Sequence, residues 1–573
     1  MTTVAELLIE SLAEHGVTEV WGVVGDALNP VTDAIRREDR VAWMGVRHEE
    51  AGAFAAGAQA QLTGRLGVCM GTVGPGAIHL LNGLYDAKKS HAPVLAICGQ
   101  VPRAEIGSDF FQEVDNDVLF ADVSVFSATV SSPEQLPTLL EQAGNAALQE
   151  QGVAVLTLPG DIGGMDVPKG TTVPRFVTEL PPTPPVETAV AAAAAAIDAA
   201  SSVTMLVGRG AAGAVPEVGA LSERLSAPMV VTLKGKPAFD DHPHQVGQSG
   251  LLGNRASAVA FDGCELLLMV GTDFPYKEFY PDGKVVVQVD ADGSHIGRRH
   301  PVDHAVVGDA RLALTALLAQ VGAKPDRSLL DEARSSYDAW RERQRPLTDP
   351  DYESKPRGLL RRKVDNPDER IRPELLAAAL DRHADRDAIF TTDTGMATTW
   401  LARFVAMTHD RDLLGSFNLG SMANATPQAL GAQALDRSRQ VVAFCGDGGL
   451  TMLLGDLITA VTHDLPVKLV VFDNGSLGMV RLEMEQVGLP AYGTDLANPD
   501  LARVAEAVGM RGIRVEDPHD VDAAVRAALS HDGPVLLDVL TNPDEIAVPP
   551  KPSLEQGWGF AIAKTKEFLE SRE

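Results

Sequence analysis

The sequence predicts an α/β protein of three tandem doubly wound parallel-sheet domains, followed by a short C-terminal helical tail. Three observations predict it. Short β-branched runs recur along the chain, glycine-rich turns follow them, and helical patterns separate them, which is the strand-turn-helix-strand signature of a parallel sheet. The length of 573 residues suits three domains at roughly 100–200 residues each.

The elements follow in order. In residues 1–165 the runs are Val20–Gly25, Leu66–Thr72, Val94–Gly99 and Val153–Pro159. Gly74-Pro75-Gly76 opens a helical segment from Ala77 to about Lys89. The proline-rich stretch Pro181–Pro185 reads as a linker. The alanine run Ala189–Ala200 reads as a simple helix, given the propensity of alanine. A second domain, 186–322, carries Val203–Val207, Met229–Leu233, Leu266–Val270 and Val285–Val289, and polar, charge-rich sequence follows from about Lys324 to Pro373. The third domain, 355–545, carries Ala388–Thr392, Val441–Phe444, Val467–Phe472 and Val535–Val539. In the tail, 546–573, Trp558, Ile562, Phe568 and Leu569 fall on one helical face.

Composition excludes several classes. With 78 acidic and 49 basic side chains the formal net charge is -29. Such a field repels nucleic acid and anionic lipid, so no nucleic-acid partner is expected and membrane contact is at most peripheral. The four cysteines form no CxxC pair and read as buried reduced thiols of a cytoplasmic protein. The N-terminus lacks the basic region and apolar core of a signal peptide. No stretch reaches the length of a membrane span, and no Cys/His cluster has zinc-site spacing.

Chemistry concentrates in the third domain. The run Gln440–Phe444 leads into Gly446-Asp447-Gly448-Gly449, and a helix begins around Leu450. A second run ends at Asp473-Asn474-Gly475. A glycine-rich strand-to-helix turn exposes backbone amides suited to a diphosphate. An Asp and an Asn at two strand ends offer the hard oxygens that suit Mg²⁺. A GDG turn alone would be an ordinary α/β corner. With the helix and the polar pair at this spacing, it resembles the diphosphate motif of thiamine-diphosphate enzymes. The resemblance implies Mg²⁺ ligands Asp447, Asn474 and the Ser476 carbonyl, with Gly446, Gly448 and Gly449 at the cofactor. The family usually has Asn-Asn where this chain has Asp473-Asn474.

Further segments extend the resemblance over nearly the whole chain. Val46-Arg47-His48-Glu49-Glu50 precedes the small-residue helix Ala51–Gln61. Glu49 follows the Arg-His pair as the family glutamate does, which implies a carboxylate bonded to the aminopyrimidine ring and so a catalytic role. Leu414–Gln433 reads LGSFNLGSMANATPQALGAQ, and Met422 fits the apolar wedge between the cofactor rings, although most lone methionines are core residues. Gly25, Gly74, Gly395 and Gly420 are implied at the cofactor as well. In the middle domain Gly208-Arg209-Gly210-Ala211, Gly271-Thr272-Asp273-Phe274-Pro275 and Val289-Asp290-Ala291-Asp292 resemble the FAD domain of the pyruvate oxidase and quinone-linked pyruvate dehydrogenase group. That implies Gly208, Gly210, Gly271, Asp290 and Asp292 as FAD contacts. A cofactor-free packing domain is the competing reading.

Phe110-Phe111-Gln112-Glu113 resembles the loop between thiamine and flavin, with Phe111 and Gln112 at the substrate. Acetolactate synthase-type carboligases share that loop. They carry a lysine shortly downstream, where this chain has Asp122–Ser127 with none, and a Gln-Trp pair where it has Gly478–Met484. The latter segment resembles the oxidases, with Met479, Val480 and Glu483 facing the substrate. The resemblance therefore implies a thiamine-diphosphate, Mg²⁺ and FAD oxidoreductase. Its reaction would be oxidative decarboxylation of pyruvate through hydroxyethyl-thiamine diphosphate to CO₂ and acetate or acetyl phosphate, electrons passing to FAD and then to a quinone or O₂. The alternative is an acetolactate synthase-type carboligase with non-redox FAD. In this family Glu49 of one subunit meets Asp447 of another, so a homodimer is the minimum and a homotetramer is expected. Location is expected to be cytoplasmic, with at most peripheral contact at the inner face of the membrane.

Overall fold

The structure, a computed structural model, describes residues 2–179, 181–355, 366, 369–408 and 410–545. The expected tail, 546–573, lies outside the described residues.

Each long apolar run becomes a strand buried on both faces, because a parallel sheet is covered by helices on both sides. The first sheet contains β1 (Glu19–Gly22), β2 (Ala42–Gly45), β3 (Gly67–Gly71), β4 (Val94–Gln100), β5 (Ser124–Thr129) and β6 (Val153–Pro159), in the order β2-β1-β3-β4-β6-β5. The second contains β7 (Val203–Val207), β8 (Met229–Val231), β9 (Leu266–Val270), β10 (Val285–Asp290) and β11 (His304–Val307), in the order β11-β10-β9-β7-β8. The third contains β12 (Ile389–Thr392), β13 (Asp412–Gly415), β14 (Val441–Gly446), β15 (Lys468–Asp473), β16 (Arg511–Val515) and β17 (Val535–Leu540), in the order β13-β12-β14-β15-β17-β16. The pairings within the sheets are parallel, as in Cys69↔Ala96 between β3 and β4 and Phe444↔Val470 between β14 and β15. The predicted fold class holds: three parallel α/β domains.

Two segments differ from the sequence reading. The expected helix from Ala77 divides into Pro75–His79 and Leu81–Lys89. The polar stretch after Lys324 contains the helix Ser328–Gln344, which buries Leu330, Ala333 and Tyr337 and leaves most of its charges exposed. Its narrow apolar stripe hides the helical period in a count of polar residues. Among the described residues no helix is long and apolar enough to cross a membrane.

The first and third domains share a core. The helix Glu49–Thr63 is capped at one end by His48, whose side chain accepts from the Glu50 amide, and at the other by Gly64 at φ +68°. Its small residues let the helix Ala425–Leu435 approach closely: a Cβ on Gly431 would stand 2.3 Å from the Ala55 carbonyl oxygen. Gln59 Nε2 donates to the Gly431 carbonyl at 3.1 Å, and the Arg47 amide donates to Asp456 at 2.8 Å.

All three domains meet at Asp86, which is 1% exposed and accepts from Gln428 Nε2 at 3.0 Å. Lys234 of the middle domain donates to Ser90 Oγ at 3.2 Å and partly offsets the Asp86 charge. Burial pushes Asp86 up to about 6 and Lys234 down to about 8. The folded chain therefore holds the Asp86 proton over a range in which the unfolded chain has released it. Stability from this group is present below about pH 4 and is lost as pH rises through about 6, a difference of about 3 kcal/mol. Asp86→Asn keeps an acceptor for Gln428 and removes the titration. Between pH 4 and 6.5, roughly the limits of that range, the unfolding free energy of the wild type should fall relative to the variant. Parallel denaturation curves check the slope.

Candidate active site

The third sheet builds a cleft at the carboxyl ends of its strands, where ligands bind in open α/β sheets. β14 ends at Gly446 and the helix Asp447–Met452 starts immediately. β15 ends at Asp473, and Asn474 follows. The cleft is lined by Gly395, Met422, Gly446, Asp447, Gly448 and Gly449, then by Asn474, Ser476, Met479 and Val480. These ten, among a larger lining that includes Asp393, Trp400 and Arg481, are residues singled out by sequence. A Cβ on Gly395 or Gly446 would meet no atom within 4 Å, so the backbone there faces open space. Gly395 at φ +139° and Gly420 at φ +79° adopt backbone that favours glycine.

The oxygens have defined partners. Asp447 is 2% exposed; Oδ1 accepts from the Gly448 amide at 2.9 Å, and Oδ2 from the Gly475 amide at 2.8 Å and Asn498 Nδ2 at 2.7 Å. Burial, then the neighbouring Asp473 carboxylate, pushes its carboxyl up. Asn474 Oδ1 accepts from the Ser476 amide at 2.9 Å. The Ser476 hydroxyl is buried without a hydrogen-bond partner among the described residues. A buried carboxylate beside a second one, an amide oxygen and an unsatisfied hydroxyl fit a hard divalent cation, and the glycine turn leaves open space beside Gly446 that fits a phosphate.

The first domain gathers a second group. Glu49 begins its helix and is 7% exposed; Oε2 lies 2.9 Å from His79 Nδ1, and His79 stacks on His48 at 4.4 Å between ring centroids. Gly76 leaves room for Glu49: a Cβ there would lie 3.2 Å from Oε1. Gly74, at φ +68°, is pressed against Gln112, and Gly25 against the Thr72 side chain. Gln112 itself sits at φ +66°, a strained conformation for a residue with a Cβ. Phe111 is 79% exposed. Glu49, Phe111 and Gln112 are not among the residues lining the third-domain cleft of the same chain.

In the middle domain Gly208, Gly210 and Gly271 cross at contact distance. The Gly210 amide donates to the Gly271 carbonyl at 2.9 Å, and a Cβ on Gly208 would stand 2.3 Å from that oxygen. This crossing by itself calls for glycine. Asp290 and Asp292 flank His295 at 3.5 and 3.4 Å. Glu483 is exposed, one turn beyond Met479 and Val480 on the helix Gly478–Gln486, where its charge reaches Tyr276 of the middle domain.

Four features escaped the sequence reading. Asp393 at the end of β12 accepts from the Ala425 and Gly446 amides, and burial pushes it up to about 7. The segment Thr392-Asp393-Thr394-Gly395, a strand end running into a helix, was its available signal. Asn498 comes from an irregular loop with no such signal. Arg481 bonds Glu485 at 3.1 Å and Asp544 at 2.8 Å at the far wall of the cleft, a pattern only folding brings together. His79, just after the Gly74-Pro75-Gly76 turn, is the hydrogen-bond partner of Glu49.

Comparison with known proteins agrees with this geometry. Three family models match along the chain: the thiamine pyrophosphate enzyme N-terminal TPP binding domain over residues 2–119, the central domain over 190–317, and the C-terminal TPP binding domain over 393–539. The chain is 36% identical to YdaP of Bacillus subtilis (strain 168), whose name describes it as containing thiamine pyrophosphate, over 100% of this chain and 97% of that protein. It is 32% identical to the pyruvate oxidase of Lactiplantibacillus plantarum, over 94% of this chain and 88% of that one. It is 33% identical to the acetolactate synthase large subunit of Parasynechococcus marenigrum, over 96% and 89%. With a cleft at the strand ends of the third domain and a buried glutamate in the first, the chain belongs to the thiamine pyrophosphate enzyme family.

Proposed function

We propose that this enzyme oxidatively decarboxylates pyruvate to CO₂ and acetate, or acetyl phosphate where phosphate is the acceptor, passing two electrons to FAD and on to a quinone or O₂. Relatives of both the oxidase and the carboligase kind lie at 32–33% identity, so similarity alone does not choose between them. The observation that carries the choice is the helix Gly478–Gln486. It sets Met479 and Val480 on the cleft and Glu483 a turn further, towards Tyr276 of the middle domain. An acid between the substrate cleft and the FAD-type domain suits proton movement accompanying electron transfer to a flavin. The absence of the carboligase Gln-Trp pair points the same way.

Asp447, Asn474 and the Ser476 carbonyl would hold Mg²⁺, and the glycine turn of Gly446, Gly448 and Gly449 would border the diphosphate. Bound thiamine diphosphate supplies the electron sink for loss of CO₂, and FAD the two-electron acceptor. Met422, half-buried at the cleft, would orient the coenzyme. Glu49 would hold and protonate the aminopyrimidine ring, with His79 steering its carboxyl. Phe111 and Gln112 would close on the substrate. Gly208, Gly210, Gly271, Asp290 and Asp292 would border the FAD. Glu49 does not line its own chain's cleft, which suits a site completed by a second subunit. The proposed assembly is accordingly a dimer or a tetramer of dimeric pairs, working in the cytoplasm.

The test is to mix the enzyme anaerobically with pyruvate. Bleaching of the flavin with release of acetate is the expected result. Acetolactate formed while the flavin stays oxidised would replace this reading by the carboligase one.

A further inference from the structure

We propose that Asp473 and Asn498 are positioning residues for Asp447, and that the charge on Asp473 tightens capture of the divalent cation. The proposal rests on the reading of Asp447 as a metal ligand. It goes beyond that reading by assigning a role to two residues outside the ligand set.

The geometry is a bridge. Asn498 Nδ2 donates one hydrogen to Asp447 Oδ2 at 2.7 Å and the other to Asp473 Oδ1 at 2.8 Å. Both donors of one amide are thereby committed to two carboxylates. The Gly475 amide is shared in the same way, at 2.8 Å to Asp447 and 3.3 Å to Asp473. Asp473 is 6% exposed and Asp447 2% exposed, so solvent screens little of their mutual repulsion. The next acid along the sheet, Asp538 on β17, is engaged by Arg514 at 2.7 Å. That guanidinium is therefore committed to another carboxylate.

Among the described residues, the two carboxylates are thus kept together at a strand end with amide donors alone, beside the buried Ser476 hydroxyl, which has no partner there. Like charges held together are unfavourable in the metal-free protein and become favourable once a dication sits against one of them. An asparagine at 473 could accept the same bond from Asn498 and would bring no charge. The identity of residue 473 therefore separates charge from shape. Asn498 in turn fixes the rotamer of Asp447, because it and the Gly475 amide hold the same oxygen.

The experiment uses full-length protein stripped of metal, titrated with Mn²⁺ in the presence of thiamine diphosphate. Free Mn²⁺ is followed by its paramagnetic resonance signal, and thermal unfolding is recorded without metal. Wild type should bind Mn²⁺. Asp473→Asn should bind it about tenfold more weakly while its metal-free form melts at the same temperature or higher. Asn498→Ala should also bind Mn²⁺ more weakly. Unchanged Mn²⁺ affinity in Asp473→Asn would overturn the proposal and leave the proposed function intact. Weaker affinity accompanied by a lower metal-free melting temperature would mark Asp473 as a structural residue and would overturn it too. A folded wild type that takes up neither Mn²⁺ nor thiamine diphosphate would instead overturn the reading of the cleft.

Discussion

Glu49→Gln should lower turnover by roughly 10²–10⁴-fold, the usual worth of a positioned general acid–base group, with little change in stability. The substitution preserves shape. A glutamine oxygen can still accept from His79 Nδ1, now 2.9 Å from Glu49 Oε2, and the helix Glu49–Thr63 keeps its cap at His48. What disappears is a buried carboxyl, 7% exposed, in a setting where a hydrogen bond to an ionisable ring is strong. Cofactor affinity should change far less than turnover, because the proposed diphosphate cleft lies in the third domain, away from Glu49. Steady-state kinetics beside a thiamine diphosphate titration separates the two. A variant that loses affinity and turnover in equal measure would assign Glu49 to binding alone.

Gly431→Ala should have the largest effect on the fold. Its new Cβ would meet the Ala55 oxygen at 2.3 Å and the Ala55 carbonyl carbon and Cα at 2.8 Å. These are backbone atoms inside a buried helix, so no rotamer change relieves the overlap. The helices Glu49–Thr63 and Ala425–Leu435 must move apart, opening the core shared by the first and third domains. Overpacking of ordinary cores costs about 1–3 kcal/mol, and an overlap against rigid backbone belongs at or above the upper end. The expected result is a thermal midpoint lower by several degrees. Gly64→Ala is the comparison: its Cβ would touch nothing within 4 Å, and only its φ of +68° would be strained. It should lose about 1 kcal/mol.

What the sequence made legible follows burial. The runs at Val153–Pro159, Val203–Val207 and Leu266–Val270 coincide with β6, β7 and β9, central strands whose two faces are both covered. The strands it did not reveal are β2, β5, β11, β13 and β16, each at the margin of its sheet. Their outer faces meet solvent, as in the partly exposed Ser124–Thr129 and Arg511–Val515, so no continuous apolar run marks them. The cleft was legible because its glycines and acids sit at strand ends close in sequence. Asn498 was not, since it reaches Asp447 from an irregular loop 51 positions away. The His79–Glu49 bond was not legible either, because it joins the turn at Gly74-Pro75-Gly76 to the start of a separate helix, which neither composition nor periodicity encodes. Glu483, expected to face the substrate beside Met479 and Val480, does not line the cleft and lies one turn further along the helix.

The measurement closest to the central claim is exchange of the acidic thiazolium proton of bound thiamine diphosphate for deuterium, followed by rapid quench and magnetic resonance. Glu49 acting on a coenzyme anchored at Asp447 requires fast exchange on the wild-type enzyme and a rate lower by roughly 10²-fold or more on Glu49→Gln with the coenzyme still bound. Equal rates on the two proteins would contradict the account.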